Sequence, residues 1–177
     1  MAIGRRLAAG ALALVATFGI LAAGAAVARQ ATVTSPVARA MRLGAVVGYR
    51  LVTAAPAPAV AVRLRAGVDL EAVCERLDGR LTGIFGVAPT LLASGPGQAV
   101  LEPLVESIGV PVAQGIATGQ FVAMSKTIER LAGGARDRAR IEVDARAVYV
   151  TLRSRNGRDT AYVVFPRSPA ADGGGAT

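Results

Sequence analysis

Histidine is missing from all 177 residues, and cysteine occurs once, as Cys74. Without imidazole there is no Ser-His triad, no histidine general base and no Cys/His zinc site. A single thiol forms no intramolecular disulfide. Tryptophan is missing too, aromatics make up only 4% of the chain, and Lys126 is the one lysine behind a formal net charge of +8. Nucleic-acid surfaces cluster basic charge and interleave it with aromatics. Here the arginines are dispersed and aromatics scarce, so no nucleic-acid partner is expected. No residue is assigned a catalytic, cofactor-binding or metal-binding role, and no cofactor is expected.

Charge is also lacking from Leu7 to Ala28, LAAGALALVATFGILAAGAAVA, where Thr17 is the only polar side chain. As a helix this run would reach about 33 Å, enough for the ~30 Å hydrocarbon core of a bilayer. Arg5 and Arg6 precede it as in a secretory signal, and Ala26-Val27-Ala28 supplies a small-x-small cleavage pattern. Three readings compete. An uncleaved transmembrane anchor explains the length, and a cleaved signal peptide explains the basic start and the alanine-rich end. A buried helix of a soluble fold is disfavoured, because no polar face is left for solvent. The expected location is a bacterial inner membrane, with the rest of the chain facing the periplasm or cell exterior. Signal cleavage would instead give a secreted protein.

From Arg29 to Gly67 the chain holds six arginines and no acidic residue. Ser35-Pro36 signals a helix start. A helix from Pro36 to about Gly48 would gather Arg39, Arg42 and Arg50 on one side, and one reading of that side is a surface for contacts to anionic lipid headgroups. The alternative is a connecting helix or strand with a solvated basic face. Ala54-Ala55-Pro56-Ala57-Pro58-Ala59 reads as a polyproline spacer. Residues 29–59 are therefore expected to form a basic juxtamembrane segment and linker, with the folded domain at 60–167 and a disordered tail at 168–177.

Within that domain, Val60 to Arg65 alternates as a strand. Asp69 caps a helix whose stripe is Leu70, Val73, Cys74, Leu77 and Leu81. Cys74 reads as a buried hydrophobe rather than a reactive thiol. Thr82 to Gly97 reads as one or two strands broken by turns, with apolar islands at Ile84-Phe85 and Leu91-Leu92. Ser94-Gly95-Pro96-Gly97 is a plain turn rather than an anion loop. Val100, Leu101, Leu104, Val105 and Ile108 mark a second helix, beginning near Glu102 and stopping at Gly109. Glu102 and Glu106 share one of its faces as surface carboxylates. The thirteen residues Val110 to Val122 resemble the start of SAF-type domains of periplasmic flagellar and pilus assembly proteins. There the motif opens the domain and here it lies mid-chain, so no function is taken from it. Phe121, Met124, Ile128 and Leu131 form a third helical stripe ended by Gly133-Gly134.

Asn156-Gly157 is a two-residue hairpin turn. Folding about it pairs Leu152 with Ala161, Val150 with Val163 and Val148 with Phe165 on one face, and Thr151 with Tyr162 on the other. Ile141 and Val143 announce a third strand before it. The expected class is α+β, a small domain with helices packed on one face of a mainly antiparallel sheet, preceded by an N-terminal hydrophobic helix.

The function expected is that of a membrane-anchored or exported accessory protein. Its domain would bind a protein partner outside the cytoplasm through Tyr149, Thr151 and Tyr162 on the solvent side of the hairpin, and residues 7–28 would engage the membrane. A homo-oligomer remains open. An exported lipid or small-ligand binder is the first alternative, marked by an apolar pocket. A histidine-free hydrolase using Ser/Lys or carboxylates is the second. Ser125 and Lys126 diverge by about 100° on a helix and form no dyad, so that chemistry would need Ser107, Lys126 and a glutamate in one buried cluster.

Overall fold

The computed structural model describes residues 35–53 and 58–167. The hydrophobic run at 7–28, part of the Ala/Pro stretch (54–57) and the C-terminal tail (168–177) lie outside the described residues. The chain divides into two compact units at Ala40/Met41. In the first, helix α1 spans Ser35–Ala40, starting where Ser35-Pro36 predicts and ending far short of Gly48.

The second unit holds the remaining elements. Strand β1 (Val46–Thr53) pairs antiparallel with β2 (Pro58–Leu64). This corrects the helix expected as far as Gly48: Val46, Tyr49, Leu51 and Val52 suit a half-buried pleated surface better than a helix interrupted by Gly44 and Gly48. Pairing of Val52 with Ala59 and Thr53 with Pro58 makes the Ala/Pro stretch the connection within a strand pair. The sheet thus begins fourteen residues before Val60, at Val46.

Helix α2 (Leu70–Phe85) starts on the Asp69 carboxylate, which accepts the Ala72 N–H at 3.0 Å. It stops at Gly86, whose φ of 75° places it in the left-handed region that favours glycine. Its buried residues are the five of the expected stripe. Ile84-Phe85 completes this helix instead of starting a strand. The chain then enters β3 (Thr90–Ser94), parallel to β2, which closes the first sheet in the order β1-β2-β3.

Helix α3 (Gln98–Thr118) runs through Gly109 with Pro103 and Pro111 inside it. The missing proline donors are outweighed by burial of Leu101, Leu104, Ile108 and Val112 along one face, because tertiary packing rather than propensity decides most helices. Residues 110–118, which resemble a SAF-type opening, are therefore the last turns of a helix. Helix α4 (Phe121–Gly134) buries Met124, Ile128 and Ala132 and leaves Leu131 at the surface. At Gly115 a Cβ would stand 2.6 Å from the Met124 sulfur, so this glycine sets how closely α3 and α4 approach.

Strands β4 (Arg138–Val143), β5 (Ala147–Arg153) and β6 (Thr160–Pro166) form an antiparallel meander. Every hairpin pair read from Asn156-Gly157 occurs in the register. Val148, Val150, Leu152 and Ala161 join the α3 and α4 residues in one core. The α+β class is as expected, with three of the four strand pairings antiparallel.

The second face of the meander departs from expectation. Tyr149, Thr151 and Tyr162 are 5%, 7% and 0% exposed, because α2 lies over this face and β3 runs beside β6. They are interior residues, and the partner-contact face expected there does not exist. Gly95 allows the β3–β6 approach: a Cβ would meet the Thr160 carbonyl oxygen at 2.2 Å, and the Thr160 N–H reaches the Pro96 carbonyl at 2.7 Å.

Candidate functional site

The turn between β4 and β5 is built by Asp144. One carboxylate oxygen accepts the backbone N–H groups of Arg146 (2.6 Å) and Ala147 (2.7 Å), a side chain closing its own turn. The other accepts the Tyr149 hydroxyl at 3.1 Å. The Arg167 guanidinium donates to the Asp144 carbonyl, and the Arg167 N–H donates to Arg146 O at 2.7 Å, fastening the end of β6 to the same turn. From α2, Asp78 reaches across to the Arg146 guanidinium at 2.6 Å.

These segments enclose a cleft of about 370 Å3, with Cys74, Glu75 and Asp78 from α2, the entry to β3, and Tyr149 and Val164 from the meander. Its protonation states follow from the neighbours. Burial would raise the Asp144 carboxyl, but the Ala147 and Arg146 amides, the Tyr149 hydroxyl and the Arg146 charge outweigh it and hold the group below the ordinary carboxylate value. Burial, the Asp144 hydrogen bond and the Asp144 charge push Tyr149 well above the usual phenol range. Burial, then the charges of Asp78 and Asp144, push the Cys74 thiol up to about 12. At neutral pH the cleft thus holds a neutral thiol and phenol beside a carboxylate whose hydrogen bonds are already used. Among the described residues, no three His, Cys, Asp or Glu side chains converge as metal ligands do.

The basic residues expected at a lipid surface do not share one element. Arg39 lies on α1, Arg42 in the connection before β1 and Arg50 on β1, so no helix gathers them. Arg50 is exposed on the first sheet, in register with Ala61 and through it with Leu92, which is 49% exposed. On the same strand Val47 and Tyr49 are 54% and 40% exposed. Among the described residues β1 pairs only with β2, leaving its outer edge unpaired. Glu102 and Glu106 stand exposed on α3, and the Ser107 hydroxyl turns back onto the Leu104 carbonyl at 2.8 Å.

Asp78, Asp144 and Arg146 were not legible as a group. The Asp-Ala-Arg sequence between two alternating stretches signals a turn, but nothing local links it to a helix sixty-six residues earlier. Tyr49 just follows a helix expected to about Gly48, so no local signal marks it as part of the strand that starts at Val46. No protein-family model, curated protein or solved structure matches this chain.

Proposed function

We propose that this is a membrane-tethered or exported accessory protein whose α+β unit binds a protein partner outside the cytoplasm by adding a partner strand at β1. The observation that carries this reading is the unpaired outer edge of β1, with Val47 and Tyr49 exposed beside it. Unpaired strand edges offer a row of backbone donors and acceptors that template another chain. Strand addition takes affinity from those hydrogen bonds and specificity from alternate side chains. The uncharged run Leu7–Ala28 supplies the export or tethering element.

The test has two stages. The full chain, expressed in a bacterium, is fractionated and weighed intact. Membrane retention with Met1–Ala28 present supports a tether, a soluble product starting at Arg29 supports export, and a full-length cytosolic product refutes both. A photo-cross-linker is then placed at Val47 or at Arg158 as an exposed control outside β1. The reading requires an adduct of one defined mass from Val47, lost when Tyr49→Lys charges the edge. Equal adduct profiles from Val47 and Arg158 refute it.

A second reading, an exported small-ligand binder, is favoured by the cleft at Asp144, whose volume of about 370 Å3 falls within the range of small-molecule sites. Its carboxylates and arginine suit a polar ligand better than an acyl chain. Ala88→Trp at its rim separates the readings, since it fills the cleft and leaves cross-linking through β1 unchanged.

A further inference from the structure

The face of the meander that α2 covers changes character toward the start of β4. Alternation places Arg138 and Arg140 of β4 on it, in register with Arg153 and Thr151 of β5. Arg138 and Arg153 stand directly opposite each other, and like charges in that position repel. Arg140 is neutralised by Glu142 at 2.5 Å and Asp69 at 3.6 Å. Among the described residues, neither Arg138 nor Arg153 has an ion-pair partner.

The two guanidinium side chains line a cleft of about 270 Å3 whose other wall is Gly67, Val68 and Leu70. That wall is held in place. The Tyr162 hydroxyl donates to the Arg65 carbonyl at 2.9 Å and accepts the Val68 N–H at 3.2 Å, pinning the loop to β6. Gly67 has φ of 79°, the left-handed region that favours glycine, and a Cβ there would stand at ordinary contact distance, 3.5 Å, from Arg153 Nη2, so the guanidinium lies beside this turn. The cleft thus has a fixed wall and two unneutralised cations, with Glu142 already taken by Arg140.

We infer that this cleft is a binding site for a phosphate-type oxyanion, held between Arg138 and Arg153. A guanidinium fork matches phosphate oxygens in bidentate geometry, and a dianion relieves the repulsion between the opposed arginines. Free phosphate and a phospholipid headgroup present the same chemistry. The site is separate from the β1 edge and does not depend on what binds there.

The full chain in an uncharged detergent is titrated with inorganic phosphate at constant ionic strength, following the arginine Nε–Hε resonances. A second arm uses phosphatidylcholine bicelles with and without phosphatidic acid. The expected result is a saturable response of Arg138 and Arg153. Arg138→Gln and Arg153→Gln each weaken it on the order of tenfold, and Arg158→Gln leaves it unchanged. Without ligand, Arg138→Gln melts no lower than the parent, which verifies its fold and the predicted repulsion. Saturation by inorganic phosphate assigns a soluble source, and saturation only by phosphatidic acid assigns a headgroup. No saturable response in either arm, or one weakened equally by Arg158→Gln, overturns the site.

Discussion

Replacing Tyr162 by phenylalanine removes one oxygen from the middle of the second unit and leaves the ring in place. Tyr162 is fully buried, and its hydroxyl joins β6 to a loop nearly a hundred residues earlier in the chain. Two hydrogen bonds end there, one given to Arg65 O and one taken from Val68 N–H. Each intramolecular bond contributes about 1 kcal/mol net, and a stranded buried partner costs about 1–3 kcal/mol. Both partners are only partly buried, so water recovers some of that loss. The expected cost of Tyr162→Phe is about 2 kcal/mol, or a fall in Tm of roughly 8 °C for a folded region near 100 residues.

Urea unfolding of the full chain in mild detergent, followed by far-ultraviolet circular dichroism, reads this cost as a lower midpoint at unchanged slope. Tyr49→Phe is the control, because Tyr49 is 40% exposed on an edge strand and its replacement is expected to stay within about 0.5 kcal/mol. If the two variants unfold at the same midpoint, the hydroxyl does not hold the loop and the rigid wall assigned to the arginine cleft is wrong.

Three further outcomes follow from individual contacts. Gly95→Ala forces a Cβ toward the Thr160 carbonyl and is expected to cost about 2–3 kcal/mol, whereas Gly109→Ala, with open space inside a helix, gains about 0.5–1 kcal/mol in the same urea assay. Asp144, held below its ordinary value once folded, contributes stability that is present above pH ~4 and is lost as pH falls through the folded value. Asp144→Asn should therefore flatten the fall in unfolding midpoint below pH 4, and an unchanged acid limb would contradict that role. With its thiol pushed up to about 12, Cys74 is expected to react with iodoacetamide at pH 8 on the order of a thousandfold slower in the native chain than in urea. Equal rates would show the thiol to be accessible.

The parts of this fold that were legible are those fixed by neighbours in the chain. Asp69 and the i, i+3, i+4, i+7, i+11 stripe behind it define α2 without tertiary information, and Asn156-Gly157 fixes the register of β5 on β6. Where propensity and packing disagree, local reading fails. Gly109 and Pro111 are breakers by propensity, yet Ile108 and Val112 on either side are fully buried and carry the helix through. The misplacement of Tyr149, Thr151 and Tyr162 has another origin. A period of two tells which residues share a face, and nothing in it tells whether another element covers that face. The cover is α2, which lies there as the crossover between parallel strands β2 and β3. The Asp144 cleft was illegible for the same reason, since its lining runs from Cys74 to Pro166.

The loop at 65–68 connects the two proposals physically and lets their failures be told apart. It leaves β2, the only described partner of β1, and then forms the wall of the arginine cleft before α2 begins. Tyr162→Phe loosens that wall, while the β1–β2 ladder keeps its seven residue pairings from Val46 to Thr53. Phosphate affinity should therefore fall in this variant, while the Val47 cross-link survives. Charging the edge with Tyr49→Lys should do the reverse, because Tyr49 is in register with Val62 and stands apart from the residues that line the cleft. If both readouts fell together in both variants, the two surfaces would form one cooperative unit, and the independence assigned to them would be wrong.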